Sequence, residues 1–340
     1  TMRLVLASIA ILGRIAIVIW PAPRCPPHAT PATMWSLLPR AAAAVDPGAG
    51  VYNVANGCRK EDTMKVNKLS AHIGAEVVGI DLREPVDSDT RRTLNEAVVQ
   101  NVALVIRDQQ FTPEQYLAAV SLFGEPMDQH FTQYALPGCP LVHEVSNRHK
   151  DKAGGRVKHG AGWHTDHTNH VRPPKYTSLY AVSLPSKGGD TAVVSMRAGY
   201  KALPEEMKQK IRGMKTVNVF QGSASARYSG QSADAQVEKK PEPVLQPLVR
   251  THPDNGTKAL YFHPVKAENI VGMGPQESQA LLSELLEHSI RDDFLYRHRW
   301  RKGDMLIWDN RAAMHKAHFD YDPEEYRLLY RVLVRGEVPA

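Results

Sequence analysis

Cysteine is scarce in this chain. Only Cys25, Cys58 and Cys139 occur in 340 residues, and no two of them form a Cys-x-x-Cys pair. That argues against a disulfide framework or a thiolate zinc cluster and points to a reducing, cytoplasmic setting. A long uncharged apolar run is missing as well. The best candidate, residues 4–20, is broken by Arg14, and an arginine at the centre of a membrane helix costs about 2.5–3.5 kcal/mol. No membrane partner is therefore expected for the folded part. A basic stripe is also lacking. The formal charge is +6, but residues 1–63 supply half of it, with six basic side chains against three acidic ones. The other charges are interspersed, which argues against a nucleic-acid partner. Apolar content of 42% and charged content of 23% are ordinary for a soluble chain, so composition alone names no function.

What is present falls into two parts. Residues 1–63 combine the apolar run with a stretch rich in Pro and Ala (Pro21, Pro23, Pro26, Pro27, Pro31, then Ala41 to Ala44), which reads as a disordered or non-native leader. Targeting or anchoring is the alternative for it, although no clean signal-cleavage site is visible. The folded protein is expected to be a single domain over 64–340. Residues 75–80 and 102–106 have strand character. Asp87 can cap a helix through about Gln100 that shares Leu94, Ala97 and Val98 on one face. Thr112, Pro113 and Gln115 mark a second helix start of capping-box type, running to Gly124.

Further on, residues 179–184 and 191–196 look like two arms of a hairpin around the turn 185–190. Helices are expected at 205–214 and 275–289, with strands at 258–262, 294–300, 305–308 and 326–334. The polar stretch 221–243 is long enough to be a lid. Short strands with long excursions, and no regular strand–helix–strand repeat, favour a mainly β fold with helices. The expected core is a jelly roll, or double-stranded β-helix, flanked by α-helices.

The chemistry concentrates at Trp163-His164-Thr165-Asp166. On a strand, residues two apart point to one side, so His164 and Asp166 can reach one metal ion together. Alone the pair is weak, since His-x-Asp arises often by chance. His167 and His170 crowd the same turn and leave a zinc-type site open. A second His from Trp308-Asp309-Asn310-Arg311-Ala312-Ala313-Met314-His315 would complete two imidazoles and a carboxylate, the facial triad of non-heme Fe(II).

Several stretches appear in one order: His164-Thr165-Asp166, Leu184-Pro185-Ser186-Lys187-Gly188-Gly189-Asp190-Thr191, Trp308 to His315, then Arg327 and Arg331. Together with Ile73-Gly74-Ala75, Arg107-Asp108-Gln109, Phe123-Gly124-Glu125 and Arg250-Thr251-His252-Pro253, this set resembles the taurine dioxygenase and 2,4-dichlorophenoxyacetate dioxygenase family from about Lys65 to Pro339. The resemblance implies an Fe(II)- and 2-oxoglutarate-dependent dioxygenase with His164, Asp166 and His315 as iron ligands. It implies Thr191 and Arg327 as the grip on 2-oxoglutarate, whose distal carboxylate matches a guanidinium fork. It implies Arg331 on a small anionic organic substrate, a sulfonate or an aryloxyalkanoate. Oxidation of the keto acid by O2 to succinate and carbon dioxide would accompany hydroxylation of the substrate.

Three points stay open at the level of sequence. His318 rivals His315 as third ligand. His130 matches the family's substrate-contacting His only with a one-residue gap, and without the gap Gln129 takes its place. The segments around Tyr261-Phe262-His263-Pro264 and Gln221 to Gly230 depart from a taurine pocket, which puts the substrate in doubt. A metal-binding jelly roll without catalysis and a membrane-tethered interaction module are the rivals from other classes. The first would not need Thr191 and Arg327, and the second would make the leader essential. Homo-oligomer formation is not decided by the sequence.

Overall fold

A computed structural model describes residues 64–151, 154–220 and 242–340. The expected leader and nearly all of the expected lid lie outside these residues. Everything below concerns the described residues of the unit Arg59–Ala340.

The unit opens with β1 (Lys65–Lys68), β2 (Ala75–Val78), α1 (Ser88–Asn101) and β3 (Ala103–Ile106). The Asp87 carboxylate caps α1 by accepting the Thr90 N–H at 2.7 Å. Next come α2 (Pro113–Ser121), β4 (Pro126–Met127), β5 (Ala135–Leu136), β6 (Cys139–Ser146), β7 (Tyr176–Ser183) and β8 (Thr191–Ser195). The capping box of α2 is complete. The Gln115 N–H donates to Thr112 Oγ1 and the Thr112 N–H donates to Gln115 Oε1, with Pro113 at the first helical position. There follow α3 (Met196–Ala202), α4 (Glu205–Lys210), β9 (Lys215–Asn218), β10 (Val244–Pro247), β11 (Val249–Thr251), β12 (Lys258–Leu260) and β13 (Ala267–Ile270). The chain ends with α5 (Pro275–Ser289), β14 (Leu295–His298), β15 (Met305–Asp309), β16 (Ala313–Ala317) and β17 (Leu328–Val334).

A large sheet runs β1-β2-β3-β15-β7-β17-β6-β5, with β4 also on β17, and a smaller one runs β14-β8-β16. The strands β10-β9-β13 and β11-β12 make two further small sheets. Alternation along β15 shows how the large sheet is covered. Met305 and Ile307 join a core with Leu94 and Val98 of α1 and Tyr116 and Val120 of α2. Leu306 and Trp308 face the opposite way, into a core with Val193 and Val194 of β8 and Leu281 and Leu285 of α5. Both faces of the sheet are therefore covered at β15. The architecture is mainly β with helices, as expected, and no helix among the described residues is long and apolar enough to cross a membrane.

The hairpin expected from 179–184 and 191–196 does not form. β7 pairs with β15 and β17, whereas β8 pairs with β14 and β16 in the other sheet. The link 185–190 carries the chain between sheets instead of reversing it within one. Gly188 and Gly189 supply two successive left-handed residues (φ +74° and +72°), and the Gly189 N–H is tied to Asp320 Oδ1 at 3.0 Å. Ser195 then caps α3, which was not anticipated, by accepting the Ala198 N–H. The helix expected at 205–214 stops at Lys210.

Gly303, in the turn before β15, sits at φ +86°. A Cβ there would lie 2.5 Å from the Gln109 carbonyl oxygen, while the Gln109 N–H donates to the Gly303 carbonyl at 2.9 Å. Gly303→Ala is therefore expected to lose about 1–3 kcal/mol of stability in denaturant unfolding. An unchanged midpoint would show that this turn is not held as described.

Candidate active site

The site begins with a backbone contact. His164 and His315 face each other across an isolated antiparallel bridge, with His164 N–H donating to His315 O (3.0 Å) and His315 N–H donating to His164 O (2.8 Å). Residues directly opposite in such a bridge project their side chains to one side, and the two imidazole centroids are 4.0 Å apart. Asp166, two residues past His164, joins them on that side. Its Oδ1 is 3.9 Å from His164 Nε2 and its Oδ2 is 4.0 Å from His315 Nε2. The three groups are close enough to share one ion. His318, the rival third ligand, is not part of this cluster. Its backbone N–H is committed to Asp190 O.

A chain of hydrogen bonds fixes the carboxylate. Thr177 Oγ1, on β7, donates to Asp166 Oδ2 at 2.5 Å and accepts from Asn310 Nδ2 at 2.8 Å. Asn310 Oδ1 accepts from Trp308 Nε1 at 3.1 Å, which settles the orientation of that amide. Thr165, whose side chain points away from the ion site, donates from Oγ1 to the Asn310 carbonyl at 3.0 Å. Beneath lies a buried ion pair. Arg311 grips both oxygens of Asp309 (2.8 and 2.7 Å), and His252 Nε2 contacts the same carboxylate at 2.9 Å. Burial alone would raise Asp309, but Arg311 and His252 hold it below the usual carboxylate range.

The protonation states suit a metal. His164 Nδ1 lies 2.8 Å from the Gly162 carbonyl, so it carries the proton and leaves Nε2 free to ligate. Burial, then His164, keeps His315 well below the usual imidazole range and hence neutral. Asp166 is buried, which would raise it, yet His315 and His164 in their charged forms and the Arg331 guanidinium hold it below the ordinary carboxylate range. Two imidazoles and a carboxylate on one side of a small space fit a divalent first-row ion that keeps further positions open.

A cavity of about 50 Å³ adjoins these groups, lined among others by His164, His315, Thr191, Trp308, Arg327 and Arg331. Arg331 lies on β17 and Arg327 immediately precedes it, and both line the cavity. Arg327 is buried, and its Nε and Nη2 both donate to Gly189 O (3.0 and 2.8 Å). No carboxylate forms an ion pair with Arg327 or Arg331 among the described residues, and burial pulls both guanidiniums down from their usual range. Thr191 Oγ1 accepts from Trp300 Nε1 at 3.1 Å, so its own proton is free to donate. A larger cavity of about 610 Å³ lies elsewhere, beside Lys68, Arg197, Lys201, Lys208 and Lys258. Its described lining includes one imidazole and no carboxylate, so volume does not mark the chemistry.

Six of the seven residues singled out from sequence thus converge: His164, Asp166, His315, Thr191, Arg327 and Arg331. His130 does not line the cavity. It lies against His167 and His170 instead, while Gln129 accepts from Arg331 Nε at 2.8 Å and ties itself to Leu141 O and Arg331 O. Thr177 was missed, and a Thr at the head of an apolar strand carries no signal that it will meet a carboxylate 11 residues earlier. His143 was missed too. It is buried beside Arg331, and burial and then that charge push it down to about 4.

A cluster that could hold one metal ion, beside two guanidiniums with no ion pair among the described residues, is an arrangement suited to an enzyme that places a divalent ion next to anionic ligands. Residues 65–333 match the taurine catabolism dioxygenase TauD, TfdA family, and the chain belongs to that family of 2-oxoglutarate-dependent dioxygenases. It is 32% identical to an alpha-ketoglutarate-dependent 2,4-dichlorophenoxyacetate dioxygenase of Cupriavidus pinatubonensis, over 78% of this chain and 95% of that one. It is 31% identical to an alpha-ketoglutarate-dependent sulfate ester dioxygenase of Pseudomonas putida, over 82% and 91%. Among solved structures, a taurine dioxygenase from Burkholderia xenovorans superposes with a TM-score of 0.68 at 33% identity, covering 82% of this chain and 91% of that one. AAD-2 in complex with Mn(II) and N-oxalylglycine gives 0.69 at 31% identity, covering 82% and 99%.

Thr177→Val keeps the volume but removes the donor to Asp166. Metal affinity, measured by anaerobic Co(II) or Fe(II) titration, is expected to fall about 10–100-fold with the fold retained. Unaltered affinity would remove Thr177 from the account.

Proposed function

We propose that this enzyme hydroxylates a small organic acid, a sulfonate, sulfate ester or aryloxyalkanoate, using Fe(II), O2 and 2-oxoglutarate and forming succinate and carbon dioxide. The observation that carries the proposal is a pair of guanidiniums, Arg327 buried just before β17 and Arg331 half-buried on it, which form no ion pair with a carboxylate among the described residues and line the same cavity as His164 and His315. A buried cation without a partner is costly, so each position calls for an anionic ligand. Arg327 with Thr191 would hold the distal carboxylate of the keto acid. Arg331, braced by Gln129, would hold the anionic group of the substrate. His164, Asp166 and His315 would hold Fe(II), which with the keto acid and O2 supplies the power to oxidise a C–H bond. Trp308, Leu329 and Val145 would keep the site dry.

We further read the large sheet and the β14-β8-β16 sheet as the two sides of a double-stranded β-helix, and residues 64–340 as one catalytic domain acting in the cytoplasm. The named relatives act on a 2,4-dichlorophenoxyacetate and on sulfate esters, which supports the substrate class without choosing within it. A metal-binding protein without catalysis would leave Arg327 buried for no ligand.

The test is succinate formation across a panel of sulfonates, sulfate esters and phenoxy acids. At least one is expected to drive turnover, Asp166→Ala to abolish it, and Arg331→Gln to raise KM by an amount worth about 2–5 kcal/mol. Turnover by Asp166→Ala, or an unmoved KM in Arg331→Gln, would refute these assignments.

A further inference from the structure

The chain carries a second cluster of metal-binding side chains, separate from the triad. His130 follows β4, and His167 and His170 lie in the turn just after Asp166. One ring nitrogen from each lies within 4.8 Å of the others. The three ring centroids form a near-regular triangle, 4.9, 4.4 and 5.0 Å on a side, with rings inclined at 57°, 74° and 52°. Stacked rings would point their in-plane lone pairs apart, whereas inclined rings around a common centre can aim them inward. His130 Nε2 and His170 Nε2 are already 2.5 Å apart, a contact that requires one nitrogen to donate and the other to accept. Around a tetrahedral ion bound at 2.0–2.1 Å, ligand nitrogens stand about 3.3–3.4 Å apart. Side-chain movements of about 1 Å would therefore seat an ion.

The turn that supplies two of the three ligands is held in place. Gln246, almost fully buried on β10, donates from Nε2 to Thr168 O (2.9 Å) and to His170 O (2.8 Å). The His170 N–H closes the turn on His167 O at 2.9 Å. His167 itself adopts a left-handed backbone (φ +49°), uncommon for a residue with a side chain. Its Nδ1 is buried with no hydrogen-bond partner among the described residues. A strained residue with an orphaned ring nitrogen, inside a clamped turn, suits a ligand better than it suits packing. The opposing charge is Lys266. Its ammonium donates to Phe220 O at 2.9 Å, and burial draws it down to about 8, which softens its repulsion of a cation.

We propose that His130, His167 and His170 bind a second divalent transition-metal ion of the zinc class, with a fourth position open to water or an anion. Three imidazoles without a carboxylate or thiolate select zinc, copper, nickel or cobalt over magnesium and calcium. The site is distinct from the iron triad, though His167 adjoins Asp166 in sequence. His130 becomes a metal ligand rather than a direct contact to the organic substrate.

The test is anaerobic Co(II) titration of the full chain, read by metal content and by visible absorption, which is intense for four-coordinate and weak for six-coordinate cobalt. Two ions per chain are expected. The intense band is expected to survive in His315→Ala, which disables the triad, and to vanish in both His170→Ala and His130→Asn. Those two variants should still bind the triad ion, which also reports that they are folded. A single ion per chain that is lost in His315→Ala, or an intense band that persists in His170→Ala and His130→Asn, would overturn the proposal. Loss of the triad ion in every protein tested would count against the iron site instead, so the two failures are distinguishable.

Discussion

The structure depends on keeping a carboxylate charged where burial opposes it. Asp166 lies out of water, aimed by the hydroxyl of Thr177 and flanked by the two imidazoles across the His164–His315 bridge, and the Arg331 guanidinium favours its ionised form. Each comes from a different element, so the site exists only when the two sheets are closed on one another. Asn310 and Trp308 extend this network into the core, and the Asp309–Arg311–His252 cluster fixes the turn that delivers His315. The Trp-Asp-Asn-Arg stretch therefore orients the candidate metal site through mutually supporting hydrogen bonds.

The opposite problem arises on β17. Arg327, just before that strand, and Arg331, on it, place two positive charges in the wall of a cavity with no carboxylate among its described lining residues. An apolar strand core, with Leu329 and Val332 fully buried, makes their position expensive without ligands. Affinity for anions follows from that cost. Substrate and keto acid would supply the missing negative charge and exclude water together, which places oxidation where stray solvent has little access.

How much of this was legible varies with the kind of signal. The bounds of α5 and the capping box of α2 were readable because helix periodicity and cap chemistry are local. The convergence of His164, Asp166 and His315 with the two arginines was readable because fixed residue types at several points of the chain recur together in a known family. The pairing of β7 and β8 was misread, since a Gly-Gly turn signals reversal but not which sheet the next strand will enter. Thr177 and Gln129 were not identified as supports, because each acts on a residue distant in sequence through contacts that only the closed fold creates. His130 was assigned to substrate from a gapped match, whereas the fold gathers it with His167 and His170.

The most direct test is anomalous diffraction at the iron edge from crystals grown anaerobically with Fe(II) and 2-oxoglutarate. The account predicts a peak bonded at once to His164 Nε2, an Asp166 carboxylate oxygen and His315 Nε2, with the keto acid running from the ion to Arg327. Iron absent from that position, or bound through His318 in place of His315, would contradict it.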